Sequence, residues 1–164
     1  KNSRFNGIIA RFSNFYGPGQ PYYRLIPKII MSILNKKKFP LHGNGKSKRN
    51  FIYSNDFCNG IHKIITKGAT GKIYHFSGNK LYTVKEVVKK VSKLMNSDFK
   101  KTFRMTKDRQ GKDLIYNLNS KMTQKTLKWS CKTDIHQGIL NIIDYTLKNL
   151  NSAKKLPTNY KVKK

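Results

Sequence analysis

The stretch RFSNFYGPGQ, residues 11–20, follows the apolar run IIA at residues 8–10, and together they decide how the chain begins to fold. A continuous apolar run that ends in Gly and Pro favours a short buried strand over a helix. Residues 11–20 are then expected to form a turn, because Gly and Pro interrupt regular structure. The GPG of this turn does not extend to GxGxxG, so it is not a dinucleotide-binding fingerprint.

The rest of the chain alternates between short strands and amphipathic helices. The predicted order is strand, helix, strand, helix, strand, helix, helix, helix, which indicates an α/β fold. A capping box at Thr83–Glu86 marks one helix start, and Asp56 is expected to cap another. We predict strands at residues 8–10, 51–53 and 73–76, and helices at residues 25–34, 56–68, 83–95, 120–129 and 135–150.

The composition bounds the class of protein. A length of 164 residues suits one ordinary domain, and no apolar run is long enough for a membrane span or a signal peptide, so we expect a cytoplasmic protein without a membrane partner. The 35 Lys and Arg residues against 7 Asp and Glu give a net charge of +28. Because Lys is dispersed along the whole chain, solvated surface positions are favoured over a nucleic-acid interface, which stays as an alternative.

Catalytic and metal-binding patterns are scarce. Cys58 and His62, with Cys131 and His136, resemble a zinc set, but Cys58 adjoins an apolar helical stripe that favours a buried thiol. We therefore expect no metal. The chain has no GxSxG, HExxH or Walker A pattern. A YxxxK at residues 160–164 lies in the tail outside any helical pattern, and we interpret it as coincidence.

Four polar side chains in loops and turns are candidates for binding an anion. They are Asn14, Arg24, Arg49 and Arg109. A guanidinium group suits phosphate because it stays charged and donates two parallel hydrogen bonds. Since Arg is so much rarer than Lys in this chain, these positions favour a geometric role over a general contribution to charge.

Taken in order, the motifs resemble one known family. They are RFSNFYGPGQPYYRLIP, FPLHGNGKSKRNFIYSNDFCNGI, GKIYHFSGN, DRQGKD and NSKMTQKTLKW. This order is similar to the C-terminal half of extended short-chain dehydrogenase/reductases that act on nucleotide sugars, the NAD-dependent epimerase/dehydratase family, and most nearly to its dTDP-glucose 4,6-dehydratases. The resemblance covers residues 8–150.

The resemblance implies a set of ligand-binding residues. Asn14 and Arg24 would hold the diphosphate with Leu25 nearby, and Pro40 and His42 would pack against the nucleobase.

Four further positions follow from the same resemblance. Arg49 and Arg109 would clamp the phosphates, Asn79 would lie in the turn that reaches the nucleotide, and Ser13 would pass the nicotinamide of NAD.

The resemblance also implies a division of the molecule. Residues 1–150 would contain the last part of an NAD-binding Rossmann-type sheet and a small mixed α/β substrate-binding domain, and residues 151–164 would be a disordered basic tail. The cofactor domain, the catalytic Tyr and Lys of YxxxK, and an acidic pair would lie in an N-terminal half outside this chain. The chain would thus hold no catalytic residue and be inactive alone.

The expected function is nucleotide-sugar binding for a dTDP-glucose 4,6-dehydratase, a lyase that converts dTDP-glucose to dTDP-4-keto-6-deoxyglucose. NAD would be held mainly by the N-terminal half, and the complete enzyme would form a homodimer. The alternatives are another nucleotide-sugar epimerase, decarboxylase or dehydratase, or a basic nucleic-acid-binding module.

Overall fold

The structure, a computed structural model, describes residues 7–108, 111 and 113–160, and it confirms the α/β class. A short 3₁₀ turn at Gly43–Gly45 joins two of the strands. In chain order the elements are β1 (Ile9–Phe12), β2 (Asn14–Tyr16), α1 (Leu25–Leu34), β3 (Phe39–His42), β4 (Lys48–Tyr53), α2 (Ser54–Lys67), β5 (Ile73–Phe76), β6 (Leu81–Thr83), α3 (Val84–Leu94), α4 (Phe99–Thr102), β7 (Phe103–Thr106), β8 (Ile115–Tyr116), α5 (Lys121–Leu127), α6 (Ile135–Lys148) and α7 (Leu150–Lys155).

The strands of the described residues form small sheets that are mostly parallel. β1 pairs with β5, and β3 pairs with β7, both in parallel. β4 is shared by three neighbours, because it pairs in parallel with β2 and β8 and antiparallel with β6. The backbone therefore passes from the β1–β5 sheet into the β4 sheet between Phe12 and Asn14.

The stretch 11–20 holds more regular structure than a turn. Residues 14–16 form β2, and only the Gly-Pro-Gly part turns the chain. Gly17 allows a close approach to α2, since a Cβ there would lie 2.6 Å from the Ser54 Cβ. Gly19 has a φ of 77°, a left-handed conformation that costs glycine little. The two glycines fix where β2 ends.

Two clusters of buried side chains position the sheets. The larger one joins α1, α3 and α6 to β3 and β4, and it contains Ile29, Leu41, Val88 and Ile139 at full burial. The smaller one surrounds Phe76, whose ring makes an edge-to-face contact with Trp129 at 4.9 Å between centroids. Burial of such large apolar side chains supplies most of the driving force for folding.

Two predictions about helix faces are wrong. Cys58 is exposed. The buried residues of α2 are Asp56, Gly60 and Ile64, and Cys58, which is two positions from both Asp56 and Gly60, lies on the opposite face of the helix. The apolar spacing in the helix expected at residues 120–129 predicts that Met122 and Leu127 both point inward. Met122 is instead 75% exposed, while Leu127 is fully buried.

Asp56 does not cap α2. The helix begins two residues earlier, at Ser54, and the buried Asp56 carboxylate accepts hydrogen bonds from the backbone N–H groups of Lys132 (3.1 Å) and Thr133 (2.9 Å). Asp56, which local spacing assigns to a helix cap, therefore joins the loop of Lys132 and Thr133 to the start of α2 by hydrogen bonds.

The end of the described chain is folded, which differs from the predicted disordered tail. Residues Leu150–Lys155 form α7, and Ala153 is buried in a cluster with Tyr22 and Met31. The small Ala side chain lets α7 approach α1 closely. Beyond α7, Lys28 Nζ donates a hydrogen bond of 2.9 Å to Asn159 Oδ1.

No helix within residues 7–108, 111 and 113–160 is long and apolar enough to cross a lipid bilayer.

The capping box at the start of α3 is confirmed and gives a stability prediction. Glu86 N donates to Thr83 Oγ1 at 3.1 Å, and Thr83 N donates to Glu86 Oε2 at 2.7 Å. Thr83→Ala should lower the free energy of unfolding by about 1 kcal/mol in urea titrations. Thr66 of α2 is exposed, and Thr66→Ala is the matched control, which should change the free energy of unfolding by less than about 0.5 kcal/mol. Equal effects of the two substitutions would contradict the cap.

The same box predicts a pH dependence. Hydrogen bonds from the backbone N–H and then the hydroxyl of Thr83 hold the pKa of the Glu86 carboxyl below its usual 4.5. The stabilisation from this carboxylate is therefore present above pH 4.5 and is lost as the pH falls through the lower, folded-state pKa.

Candidate functional site

A cleft of about 790 Å³ lies between β2, β4, the start of α1 and β3. It collects residues that lie far apart in sequence, because β2 and β4 are neighbours and β3 precedes β4 by one turn. Most of the predicted site residues line it: Ser13, Asn14, Arg24, Leu25, Pro40, His42 and Arg49.

The lining of the cleft is cationic. Arg24 and Arg49 contribute guanidinium groups, and none of the lining residues that the structure describes is Asp or Glu. Leu25 and Ile26 bring the first turn of α1 to the cleft. The N–H groups of a first helical turn lack acceptors within the helix and carry partial positive charge. The cleft therefore favours a bound anion.

Arg49 is held in place by two backbone carbonyls. Its Nη1 donates to Lys48 O and its Nη2 donates to Asp113 O, each at 2.7 Å. A guanidinium has five N–H donors, so three remain for a ligand after these bonds. Fixing the fork in this way lowers the entropy that its side chain would lose on binding phosphate.

His42 and Pro40 lie two residues apart on β3 and share one face of the strand. His42 Nδ1 lies 3.1 Å from the carbonyl oxygen of Lys107 and 2.9 Å from Thr106 Oγ1. Since a carbonyl only accepts hydrogen bonds, Nδ1 carries the proton when it bonds to Lys107, and Nε2 of the neutral ring is then an acceptor. β7 thus orients the His42 ring.

Ser13 and Asn14 lie where the chain passes from one sheet to the other. Ser13 N donates to Phe76 O at 2.9 Å, which ends the β1–β5 pairing. The Ser13 hydroxyl is buried and has no hydrogen-bond partner among the described residues. Asn14 Nδ2 donates to Asn50 O at 3.3 Å. An unpartnered buried hydroxyl that lines a cleft is available to a polar group of a ligand.

Aromatic residues that the sequence did not single out complete the cleft. Phe15, Tyr23 and Tyr160 all line it, and Gln20 Nε2 donates to Phe15 O at 2.9 Å near its mouth. Tyr23 could have been noticed as the neighbour of Arg24. For Tyr160 the sequence offered only a YxxxK pattern interpreted as coincidence, because the return of the C-terminal segment to α1, which brings Tyr160 to the cleft, is not a local feature. A smaller cavity of about 390 Å³ adjoins the cleft around the Gly-Pro-Gly turn.

Two predicted site residues are not part of this group. Asn79 does not line the cleft, and its Nδ2 donates to the carbonyl oxygen of Cys131 at 2.9 Å, so its amide is used between two loops. Arg109 lies outside the described residues. Among the residues that the structure does describe, no cluster of His, Cys, Asp and Glu could hold a metal ion.

The class of protein follows from the likeness of this architecture to solved structures. The mixed α/β arrangement, with its mostly parallel strands, matches Rossmann-like dehydratases of the short-chain dehydrogenase/reductase type. The crystal structure of dTDP-glucose 4,6-dehydratase from Bacillus anthracis in complex with NAD superposes with a TM-score of 0.86 at 32% identity, over 92% of this chain and 47% of that one.

A family model matches part of the chain. Residues 1–76 match the NAD dependent epimerase/dehydratase family.

Curated relatives cover nearly all of this chain. The mouse dTDP-D-glucose 4,6-dehydratase is 30% identical over 156 residues, which are 92% of this chain and 44% of the relative. An Arabidopsis thaliana trifunctional UDP-glucose 4,6-dehydratase/UDP-4-keto-6-deoxy-D-glucose 3,5-epimerase/UDP-4-keto-L-rhamnose-reductase is 30% identical over 142 residues, which are 87% of this chain and 21% of the relative. The chain thus spans less than half the length of the relatives it matches.

Proposed function

We propose that this chain is the nucleotide-sugar-binding half of an NAD-dependent dTDP-glucose 4,6-dehydratase. The observation that carries the proposal is the cationic cleft, which gathers Arg24, Arg49 and the first turn of α1 without a lining carboxylate. Such a site suits a diphosphate, because guanidinium groups and helix N-terminal amides are the groups that bind phosphate oxygens in proteins.

The other lining residues fit further parts of a nucleotide sugar. Pro40 offers an apolar surface to a nucleobase, and His42 Nε2 offers an acceptor to an imide N–H such as that of thymine or uracil. Asn14, exposed on β2, has a second amide N–H beside the one that it donates to Asn50 O, and this donor suits the diphosphate. The family resemblance assigns these residues to the nucleobase and the diphosphate, and the contacts described above support that assignment.

The Ser13 position fits the cofactor of the family. Ser13 lines the cleft and its buried hydroxyl has no hydrogen-bond partner among the described residues, which suits the polar carboxamide of a nicotinamide. The chemistry that NAD would supply when bound is reversible hydride transfer. Ser13 would orient one edge of the cofactor, and the remaining contacts would come from the other half of the enzyme.

An exposed apolar pair on one face of a sheet supports the existence of that other half. Ile9 of β1 and Ile73 of β5 are paired in register, and they are 53% and 47% exposed. Parallel strands in globular proteins are covered on both faces, so this two-stranded sheet needs more cover than the described chain gives it. The match covers only 44% of the mouse enzyme. This coverage and the exposed apolar pair together favour a cofactor-binding half that extends the sheet.

The proposal includes a cytoplasmic location. Cys58 and Cys131 are both free, which suits the reducing cytoplasm.

Calorimetric titration of the chain tests the proposal. We expect saturable binding of dTDP-glucose at a 1:1 ratio, competition by dTDP, and weaker binding of UDP-glucose. A duplex DNA of random sequence is the comparison, because a net charge of +28 gives salt-sensitive attraction to any polyanion. Binding of DNA without saturable binding of any nucleotide sugar would overturn the proposal in favour of a nucleic-acid-binding module.

A further inference from the structure

We infer that Tyr160 contacts the ligand of the cleft: the C-terminal segment brings its ring to the cleft, and the base of the bound nucleotide stacks on it in addition to the contacts proposed for Pro40 and His42. The inference rests on the proposed function, and it adds a residue from outside the motifs in residues 8–150. It concerns a side chain with no assigned role in folding or in the site.

The position of Tyr160 carries the first step. It lines the cleft together with Tyr23, and the two ring centroids lie 5.3 Å apart with the planes at 67°. An edge-to-face contact of this kind uses at most one face of the Tyr160 ring. With 68% of the residue exposed, the rest of the ring is open to the cleft and to solvent.

The segment that carries Tyr160 is anchored. Ala153 of α7 is 1% exposed and packs with Tyr22 and Met31, which places the end of the chain beside the start of α1. Lys28 Nζ then donates to Asn159 Oδ1 at 2.9 Å, one residue before the tyrosine. These two contacts fix the approach of the segment without using the Tyr160 side chain.

The neighbouring cation identifies the kind of ligand. Arg24 Cζ lies 5.5 Å from the centroid of the Tyr23 ring, so Tyr23 contacts both Arg24 and Tyr160. An anion bound by Arg24 would therefore lie near an open aromatic ring. A nucleoside diphosphate carries both a charged group and a flat heterocycle.

Stacking on Tyr160 has a competitor within the cleft. Phe15 also lines it and is 50% exposed, but its ring already stacks on Phe57 at 5.0 Å between centroids and 27° between planes. Tyr160 is the more exposed of the two residues. A base that stacks on it removes from water both a face of the base and a face of the ring, which favours binding.

The experiment compares two probes, dTDP and inorganic pyrophosphate, which lacks a base. Base stacking on an aromatic side chain accounts for roughly tenfold or more in affinity. Tyr160→Ala should raise the Kd for dTDP about tenfold and leave the Kd for pyrophosphate within twofold, whereas Arg24→Ala should weaken both probes. Tyr160→Phe keeps the ring and should bind dTDP as the unmodified chain does.

Controls separate binding from folding. Met122→Ala removes a residue that is 75% exposed and absent from the cleft lining, and it should change neither Kd. Circular dichroism and urea unfolding should be the same for Tyr160→Ala as for the unmodified chain, because an exposed side chain stabilises the fold little.

Each contrary result has a distinct meaning. If the unmodified chain binds neither dTDP nor pyrophosphate, the proposed function fails and the inference fails with it. If Arg24→Ala weakens dTDP binding while Tyr160→Ala does not, the function stands and the inference is overturned. An equal loss for dTDP and pyrophosphate in Tyr160→Ala would also overturn it, since the ring would then act only by supporting Arg24.

Discussion

Asp56→Ala is expected to destabilise the chain by about 3 kcal/mol, the largest stability effect that we predict for a single polar side chain. The reason is the number of groups that depend on one buried carboxylate. Its oxygens accept from the backbone N–H groups of Lys132 and Thr133 and from the Cys131 thiol, whose Sγ lies 3.4 Å from Asp56 Oδ2.

The Cys131 thiol shows how closely the two groups interact. Burial raises the pKa of this thiol to about 12, and the negative charge of Asp56 adds to the rise. Cys131 is therefore protonated at neutral pH and donates to the carboxylate. Removing the carboxylate leaves this buried donor and two backbone N–H groups without their acceptor, at a cost of roughly 1–3 kcal/mol for each group that water cannot reach.

Urea unfolding measures the effect, with Asp144→Ala as the matched control. Asp144 Oδ2 lies 2.9 Å from Lys148 Nζ on the outer face of α6, and both side chains are mostly exposed. An exposed ion pair of this kind contributes less than about 1 kcal/mol. Asp56→Asn keeps one acceptor oxygen and should lose about half as much as Asp56→Ala. A loss at Asp56 no larger than at Asp144 would contradict the network.

The role of Asp56 shows which part of the fold the sequence specifies locally. The helices α1 and α3 begin and end close to their predicted positions, because apolar spacing and the Thr83–Glu86 cap are local features. Asp56 has the residue type and the spacing of a cap as well. Its actual partners are more than seventy positions away, and no local pattern predicts them.

The sheets show the same limit. The strand at β2 is only three residues long and lies within a stretch whose composition indicates a turn. Its register partners are Phe51, Ile52 and Tyr53 of β4, so β2 exists through a long-range pairing. Strand propensity over three residues is too weak to reveal it.

The candidate site divides in a similar way. Two kinds of evidence predicted residues that line the cleft. Polar residues in loops and turns gave Arg24, Arg49 and Asn14, and the family resemblance gave Leu25, Pro40, His42 and Ser13. Tyr160 lay outside both kinds of evidence, because it reaches the cleft only through the packing of α7 on α1.

Arg49→Ala is expected to weaken the binding of dTDP-glucose about fiftyfold, the largest effect on binding that we predict. A hydrogen bond between a charged donor and phosphate is typically worth about 1.5–3 kcal/mol, which corresponds to a factor of roughly 10 to 160. The guanidinium is already fixed by Lys48 O and Asp113 O, so little of that energy is lost in ordering it.

The stability of the chain should change much less than the affinity. The two carbonyl groups that Arg49 contacts belong to exposed residues, and water can replace the guanidinium there. Arg49→Lys keeps the charge but not the planar fork, and it should weaken binding about tenfold.

Arg11→Ala separates specific binding from the general field of a highly charged chain. Arg11 is exposed on β1 and does not line the cleft, yet its replacement removes the same unit of charge from a total of +28. It should change the calorimetric Kd for dTDP-glucose by less than about twofold, because an exposed charge outside the site is screened by salt. Equal losses for Arg11→Ala and Arg49→Ala would mean that overall charge attracts the ligand. A large loss for Arg49→Ala alone would assign phosphate binding to the fork that β4 presents to the cleft.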